Sequence, residues 1–272
     1  FAIFVGGGPI VGDEIQTVAE TRRGAIHIWG GSTTALASSV PEMNLLELPY
    51  LFRDAKEADH IIDEVLFEDY KKLLLDRGFV LLFWSENGFR SFGSKFGFIK
   101  TPADLKGHKM RSQESDVHLE MYRALGALPQ PIAVTEVLSS LQTGVVDGFD
   151  NTPLYTFAAS WQIAITHFTV SEHIYQPGIV VMAKKEFDKM PPDLQKIMIG
   201  DQRKFAVDGR VGVRDIAPLL LENFTNAKVQ VYKMTQAEKD VFAKATLVVH
   251  DKFAKKVPTA RPLLEKTKKA LA

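Results

Sequence analysis

Apolar side chains recur along this chain at two spacings, one helical and one extended. Over 55–77 they fall three and four apart (Ala58, Ile61, Ile62, Val65, Leu66, Leu73, Leu74) and Gly78 closes the run, so the spacing predicts one long amphipathic helix. The block Phe79 to Trp84 is apolar without interruption, the pattern of a strand buried on both faces in a parallel sheet. Ahead of these, Phe1 to Val5 reads as a strand and Gly6, Gly7 and Gly8 as a turn. A helix is predicted over 13–23, with Asp13 and Glu14 at its N-terminus and Gly24 as its stop, then a short strand over 25–29. Downstream, a helical turn opens at Thr101-Pro102, and extended segments are predicted over 109–111, 129–134, 145–150, 163–175, 178–183 and 229–232. Helices are predicted over 116–125 and 136–143, from Thr152-Pro153, from Pro191-Pro192 to Asn226, and over 236–255 and 260–271. Alternating strands and helices imply an α/β fold with largely parallel sheets covered on both faces. The length implies about two domains. No linker separates them, so the chain is expected to cross between them more than once.

Charge and composition narrow the function. Thirty-three Lys and Arg balance 33 Asp and Glu over 272 residues, which leaves no electrostatic footprint for nucleic acid or an anionic membrane. The absence of cysteine removes disulfide scaffolds, thiol catalysis and Cys-based metal sites. No apolar run approaches the roughly 20 residues of a bilayer crossing, so no direct membrane insertion is expected. The opening Phe1 to Val5 is too short for the apolar core of a secretion signal. Gly6-Gly7-Gly8-Pro9-Ile10-Val11-Gly12 lacks both the glycine spacing of a dinucleotide fingerprint and the Lys-Ser/Thr of a phosphate loop. His167 and His173 are not placed to share a metal, and no Gly-x-Ser-x-Gly elbow occurs. No catalytic residues, metal or cofactor are expected.

Three blocks carry more information. They are Trp84-Ser85-Glu86-Asn87-Gly88-Phe89-Arg90, then Asp104-Leu105-Lys106-Gly107-His108-Lys109-Met110-Arg111, then Leu141-Gln142-Thr143-Gly144-Val145-Val146-Asp147-Gly148-Phe149-Asp150-Asn151. Together with Gly12-Asp13-Glu14 and Pro49-Tyr50-Leu51-Phe52 upstream, the chain resembles the solute-binding proteins of tripartite ATP-independent periplasmic (TRAP) transporters, the DctP-like family. The resemblance implies a two-domain periplasmic binding protein of the type II kind, with several crossings, a long hinge-spanning helix and a cleft that closes on a small organic acid. It implies one domain from 1–88 with 177–216 and a second from 89–176 with 217–272. A further strand and helix normally precede this point and would belong to the first domain. It also implies a periplasmic location after removal of a leader, and membrane permease subunits as partners.

The resemblance implies the site as well. Arg111 would pair with the ligand carboxylate through both guanidinium edges, Arg90 would assist, and Asn151 would add a directional amide contact. A guanidinium fork matches a carboxylate with two parallel hydrogen bonds, which lysine cannot copy. Glu14 aligns where some relatives place an acid near the ligand, with a plain helix N-terminus as the equal alternative. Ser32 sits at the mouth of the first-domain strand. Phe149, Trp161, Tyr175 and Trp84 are candidate walls, with the apolar core as the competing location. Glu172 and His173 receive no role. Val134, Ser32 and Ala35 replace contacts of sialic-acid-binding relatives, which argues against that ligand and toward a short dicarboxylate, a keto acid or an aromatic acid. Two other functions compete: a sensory ligand-binding domain, and an α/β enzyme using Glu14 or His173 as its base.

Overall fold

The computed structural model describes Ile3 and residues 12–272; apart from Ile3, the predicted strand at 1–5 and the turn at 6–8 lie outside the described residues. The first described helix, Glu14–Arg23, starts where Asp13 accepts a hydrogen bond from the Gln16 backbone N–H and Gln16 reaches back to the Asp13 N–H. This reciprocal pair satisfies two donors that a helix start otherwise leaves free. Gly24 ends the helix in the left-handed conformation, as the sequence predicts.

Among the described residues, seven strands form one sheet: β1 (Ile28–Ser32), β2 (Phe79–Ser94), β3 (Lys109–Ser112), β4 (Leu128–Pro131), β5 (Gly148–Asn151), β6 (His167–Ala183) and β7 (Gln230–Lys233). Their order is β1-β6-β2-β5-β3-β4, with β7 on the far part of β6. The expectation of largely parallel sheets is corrected. β6 runs antiparallel to both β1 and β2, and β2 antiparallel to β5; only β3–β4, β3–β5 and β6–β7 are parallel. An uninterrupted apolar strand buried on both faces has the same pattern in either direction, so Phe79 to Trp84 does not reveal the polarity of its partner. The segments predicted as two strands, 163–175 and 178–183, form one 17-residue strand from His167, with Pro177 and Gly178 inside it. Ile163 lies in a helical turn, Trp161–Ala164, instead.

β2 and β6 dominate the molecule. At about 3.3 Å per residue each spans about 50 Å. Their pairing shifts register between Leu81 and Phe83, between Glu86 and Gly88, and between Arg90 and Phe92. Gly88 takes a positive φ of 107° at the middle shift, a backbone state that side chains disfavour.

The helix predicted over 55–77 is observed in three parts. Ala55–His60 runs into a widened turn, Ile61–Val65, where the Leu66 N–H bonds back five residues to the Ile61 carbonyl; Phe67–Asp76 completes it. The helix predicted from Pro191 to Asn226 is two, Pro192–Ile199 and the long Gln202–Asn226, broken at Gly200, whose φ of 52° and ψ of −143° leave the helical region. The long helix lies along β2. Ala206 near its start joins the larger apolar cluster, and Phe224 near its end joins a second cluster with Phe149, Trp161 and Phe168. It therefore ties both ends of the sheet together. Pro218 inside it cannot donate a hydrogen bond to the preceding turn. The last two helices, Gln236–Lys256 and Arg261–Leu271, pack on Asp116–Ala124 and on the 61–65 turn respectively.

Candidate functional site

A cavity of about 270 Å³ opens where β2 and β6 pass the ends of β1, β3 and β5. Its charged lining, among the described residues, is Glu14, Glu86, Arg90 and Arg111. In the sheet order, β5 stands between the two arginine-bearing strands, so Asn151 sits beside Ser91 of β2 and Phe149 beside Arg111 of β3. The cavity thus gathers five of the residues expected from sequence: Arg111, Arg90, Asn151, Glu14 and Ser32.

The two arginines differ in what already holds them. Arg90 is 1% exposed and donates through Nε to Asp150 Oδ2 at 2.6 Å, through Nη1 to Gln176 Oε1 at 2.8 Å and Asn151 Oδ1 at 3.2 Å, and through Nη2 to the Asp150 carbonyl. Four of the five N–H groups of a guanidinium are therefore engaged. Arg90 lines the cavity with one donor to spare, which leaves room for a single assisting contact of the kind expected from sequence. Arg111 is 3% exposed, and its Nε donates to the Ile132 carbonyl at 3.0 Å. Neither Nη group has a hydrogen-bond partner among the described residues, and no carboxylate pairs with it. Its guanidinium lies 5.5 Å over the Trp161 ring. Burial, then the nearby Arg90 charge, lowers the Arg111 pKa to about 10.

Asp150 explains the difference. It is fully buried, accepts from Arg90 and from the Tyr122 hydroxyl at 2.8 Å, and lies 3.4 Å from His173 Nε2. Although burial opposes its charge, Arg90 and His173 hold its pKa well below the ordinary 3.8. The pair continues into a buried polar chain. Gln176 donates to Glu47 at 2.7 Å and to Gln113 at 2.8 Å, and His118 donates to Glu47 at 2.8 Å. Buried polar groups of this kind are tolerable only because nearly all are satisfied by one another.

Asn151 accepts from Thr152 N–H at 2.8 Å, Arg90 Nη1 at 3.2 Å and Asn87 Nδ2 at 3.3 Å, all at Oδ1. Three donors on the oxygen orient the amide and leave its NH₂ for the cavity. Glu14 is half-buried in the first turn of its helix, and Oε1 accepts from the Ser32 N–H at 2.7 Å. Burial raises its pKa despite the Ser32 contacts and the Arg111 charge. Gly31 permits this approach: a Cβ there would stand 2.7 Å from Glu14 Oε1 and 2.5 Å from the Trp29 ring. Ser32 Oγ accepts from Ala35 N–H and caps the short helix that follows.

The expected aromatic walls lie elsewhere. Phe149 and Trp161 pack edge to face at 5.0 Å in the second apolar cluster, beneath Arg111 rather than on the cavity surface. Tyr175 lies between Phe52 and Phe89, with its hydroxyl donating to Glu86. Trp84 packs on Tyr70 in the core. Each of these rings is buried within one of the apolar clusters, and none of them lines the cavity. Tyr155, which the sequence reading did not single out, does line it, against the edge of Trp161 at 5.5 Å. His173 is stacked on Phe92 at 4.2 Å in the core and does not line the cavity.

Residues 8–256 match the family model for DctP, bacterial extracellular solute-binding protein family 7. The chain belongs to this family. A solute-binding protein of Verminephrobacter eiseniae is 34% identical over 203 residues, 75% of this chain; the chain spans 61% of that relative's length. Two solved TRAP periplasmic solute-binding proteins share the fold: one from a Sulfitobacter species with bound β-D-galacturonate (25% identity, TM-score 0.90, 96% of this chain and 86% of that one), and one from Sulfurospirillum deleyianum with bound succinate (28%, 0.87, 95% and 84%). Those two proteins, alike in fold, hold a sugar acid and a dicarboxylate respectively, so backbone shape alone does not select the ligand. In this family 7 chain the sequence reading missed Asp150, Gln176, Glu47, Gln113 and Asn87, which shape the site from behind or beside it. One signal was available: Asp150 sits inside a predicted strand, and a carboxylate there needs a counter-charge.

Proposed function

We propose that this chain is the extracytoplasmic receptor of a TRAP transporter, gripping a small organic acid by its carboxylate and handing it to ion-gradient-driven membrane permease subunits from the periplasm. The supporting observation is Arg111, a buried guanidinium at the cavity wall whose two Nη groups have no partner among the described residues. An unpaired buried cation is unfavourable, and a carboxylate arriving there relieves it. The related proteins named above with galacturonate and succinate bound support the same class of ligand.

The cavity draws on both parts of the proposed division, 1–88 with 177–216 and 89–176 with 217–272. Glu14, Ser32 and Gly178 come from the first, and Arg111, Asn151 and Tyr155 from the second. The last helix straddles that division, since it packs on the 61–65 turn. A ligand touching both parts favours their approach because it binds the closed arrangement better than the open one.

Calorimetry with a panel of small carboxylic acids and their methyl esters tests this reading. One-to-one binding of an acid, with its ester weaker by about 30-fold or more, is expected from loss of a buried charge-assisted pair. Equal binding of acid and ester, or steady turnover of a bound acid, would overturn it.

A further inference from the structure

A buried cation can be made tolerable in two ways, and this cavity uses both. Arg90 is held by a counter-charge: Asp150 faces it at 2.6 Å and, with Gln176 and Asn151, engages most of its N–H groups. No carboxylate pairs with Arg111 among the described residues. Its Nε donates to the Ile132 carbonyl, and its Cζ lies 5.5 Å from the centre of the Trp161 ring beneath it. That distance is inside the roughly 6 Å over which an aromatic face attracts a cation. The attraction is to the ring as a whole, so it leaves the two Nη groups open to a carboxylate.

The ring is itself built into place. Trp161 is buried, and Phe149 and Tyr155 meet it edge to face at 5.0 and 5.5 Å. Phe149 stands beside Arg111 across the β3–β5 ladder. It fits there because residue 93 is glycine: a Cβ at Gly93 would stand 2.6 Å from the Phe149 ring. The chain enters Trp161 through Ser160, whose φ of 59° is the left-handed state that residues other than glycine disfavour. Such a state persists only where its surroundings hold it. Here it makes the turn after the helix Pro153–Ala158 that brings the indole under Arg111.

We infer that Trp161 is the positioning residue for Arg111: its indole face holds the guanidinium at the cavity wall and offsets its charge until an anion arrives. The inference rests on the carboxylate-receptor reading above and adds what keeps the arginine of that receptor ready. Without the face, the guanidinium can turn to an anion of the protein itself, and Glu14 lines the same cavity. An Arg111 engaged by Glu14 is not competent to bind, and the apparent affinity falls with the competent fraction. A carboxylate in place of the ring would have that defect permanently, as Asp150 shows at Arg90.

Calorimetry on the full chain with D-galacturonate and succinate, each set against its methyl ester, reads the state of Arg111 as the preference for acid over ester. Trp161→Met keeps an apolar filler in the cluster and removes the face. It is expected to lower that preference by about 2- to 30-fold. Trp161→Phe, which keeps a face, should stay within about threefold of wild type. Phe168→Leu is the control for a lesion in the same cluster, since its ring stacks on Phe224. It should lower stability and leave the preference alone. A second arm needs no ligand: in urea unfolding, Trp161→Met should lower the midpoint more in the wild type than in Arg111→Met. Should Trp161→Met not fold, replacing tryptophan throughout with 5,7-difluorotryptophan keeps the ring shape and weakens its face. The other two tryptophans, Trp29 and Trp84, lie in the larger cluster, and the preference should again fall. An unchanged preference in either protein, an equal fall in Phe168→Leu, or equal midpoint shifts in the two backgrounds overturns the role of Trp161 and leaves the carboxylate receptor standing. A wild type that binds neither acid better than its ester overturns both.

Discussion

Two arginines 21 residues apart in sequence, on strands separated by β5, meet opposite fates in this molecule. Around Arg90, at the seam of β2 and β5, the chain supplies everything a guanidinium asks for: a buried carboxylate, two amide oxygens and a carbonyl. Around Arg111, at β3, it supplies one carbonyl on the near edge and an aromatic face below. Equal burial therefore carries different consequences. The first region is a finished electrostatic unit that holds strands in register, and the second is left incomplete, which in the function proposed above an anion from outside completes. A charged residue reveals function through what it lacks as much as through where it sits.

The sharpest way to break this contrast is Asp150→Asn. It strips Arg90 of its counter-charge in a dry setting, and such losses cost about 3–5 kcal/mol. Urea unfolding followed by circular dichroism is expected to show a fall of that size, and a midpoint near wild type would mean that Arg90 is not the structural member. Next comes Arg111→Met, which is expected to leave the unliganded midpoint unchanged or raised. It should weaken acid binding by about 2–5 kcal/mol, a loss of roughly 30-fold to a few thousandfold in calorimetry. A clear drop in unliganded stability would erase the distinction between the two regions.

The smallest effect is on pH dependence. His173 is held below its ordinary 6.5 chiefly by burial, and Asp150 below 3.8 chiefly by Arg90 acting against burial. In both cases the unfolded chain takes up the proton first, so stability falls on acidification. The His173 contribution is lost as pH drops below about 6.5 and the Asp150 contribution as it drops below about 4. Unfolding midpoints measured from pH 8 to pH 3 are expected to fall in that order, and His173→Phe should reduce the earlier step, to which His250, likewise held below its ordinary value by burial, also contributes. A midpoint that rises on acidification would contradict the assignment.

The legible part of this molecule is local. Asp13, Gly24, Gly126 and Gly144 mark helix boundaries that depend on a few neighbouring atoms, and the structure keeps each where the sequence puts it. Arg111 was legible through its motif. Strand polarity was not, because β2 finds its partner β6 some 90 residues later and the apolar pattern is blind to direction. The role of Arg90 was hidden for the same reason: its state depends on Asp150 and Gln176, 60 and 86 residues away. Aromatic walls were over-expected because a ring near a site motif in sequence, such as Phe149, can face the opposite side of its strand.

The paired strands β2 and β6 also set how the molecule yields under load. A continuous ladder resists bending along its whole length, much as a leaf spring does. This one is interrupted beside the cavity, where Asn87 has no partner across the ladder, Pro177 offers no N–H and Gly88 adopts a backbone state most residues avoid. This interruption is the middle one of three irregularities in the ladder. In the proposed function an anion lodged at that level would act where fewer ladder bonds oppose a change of angle between the strand segments on either side.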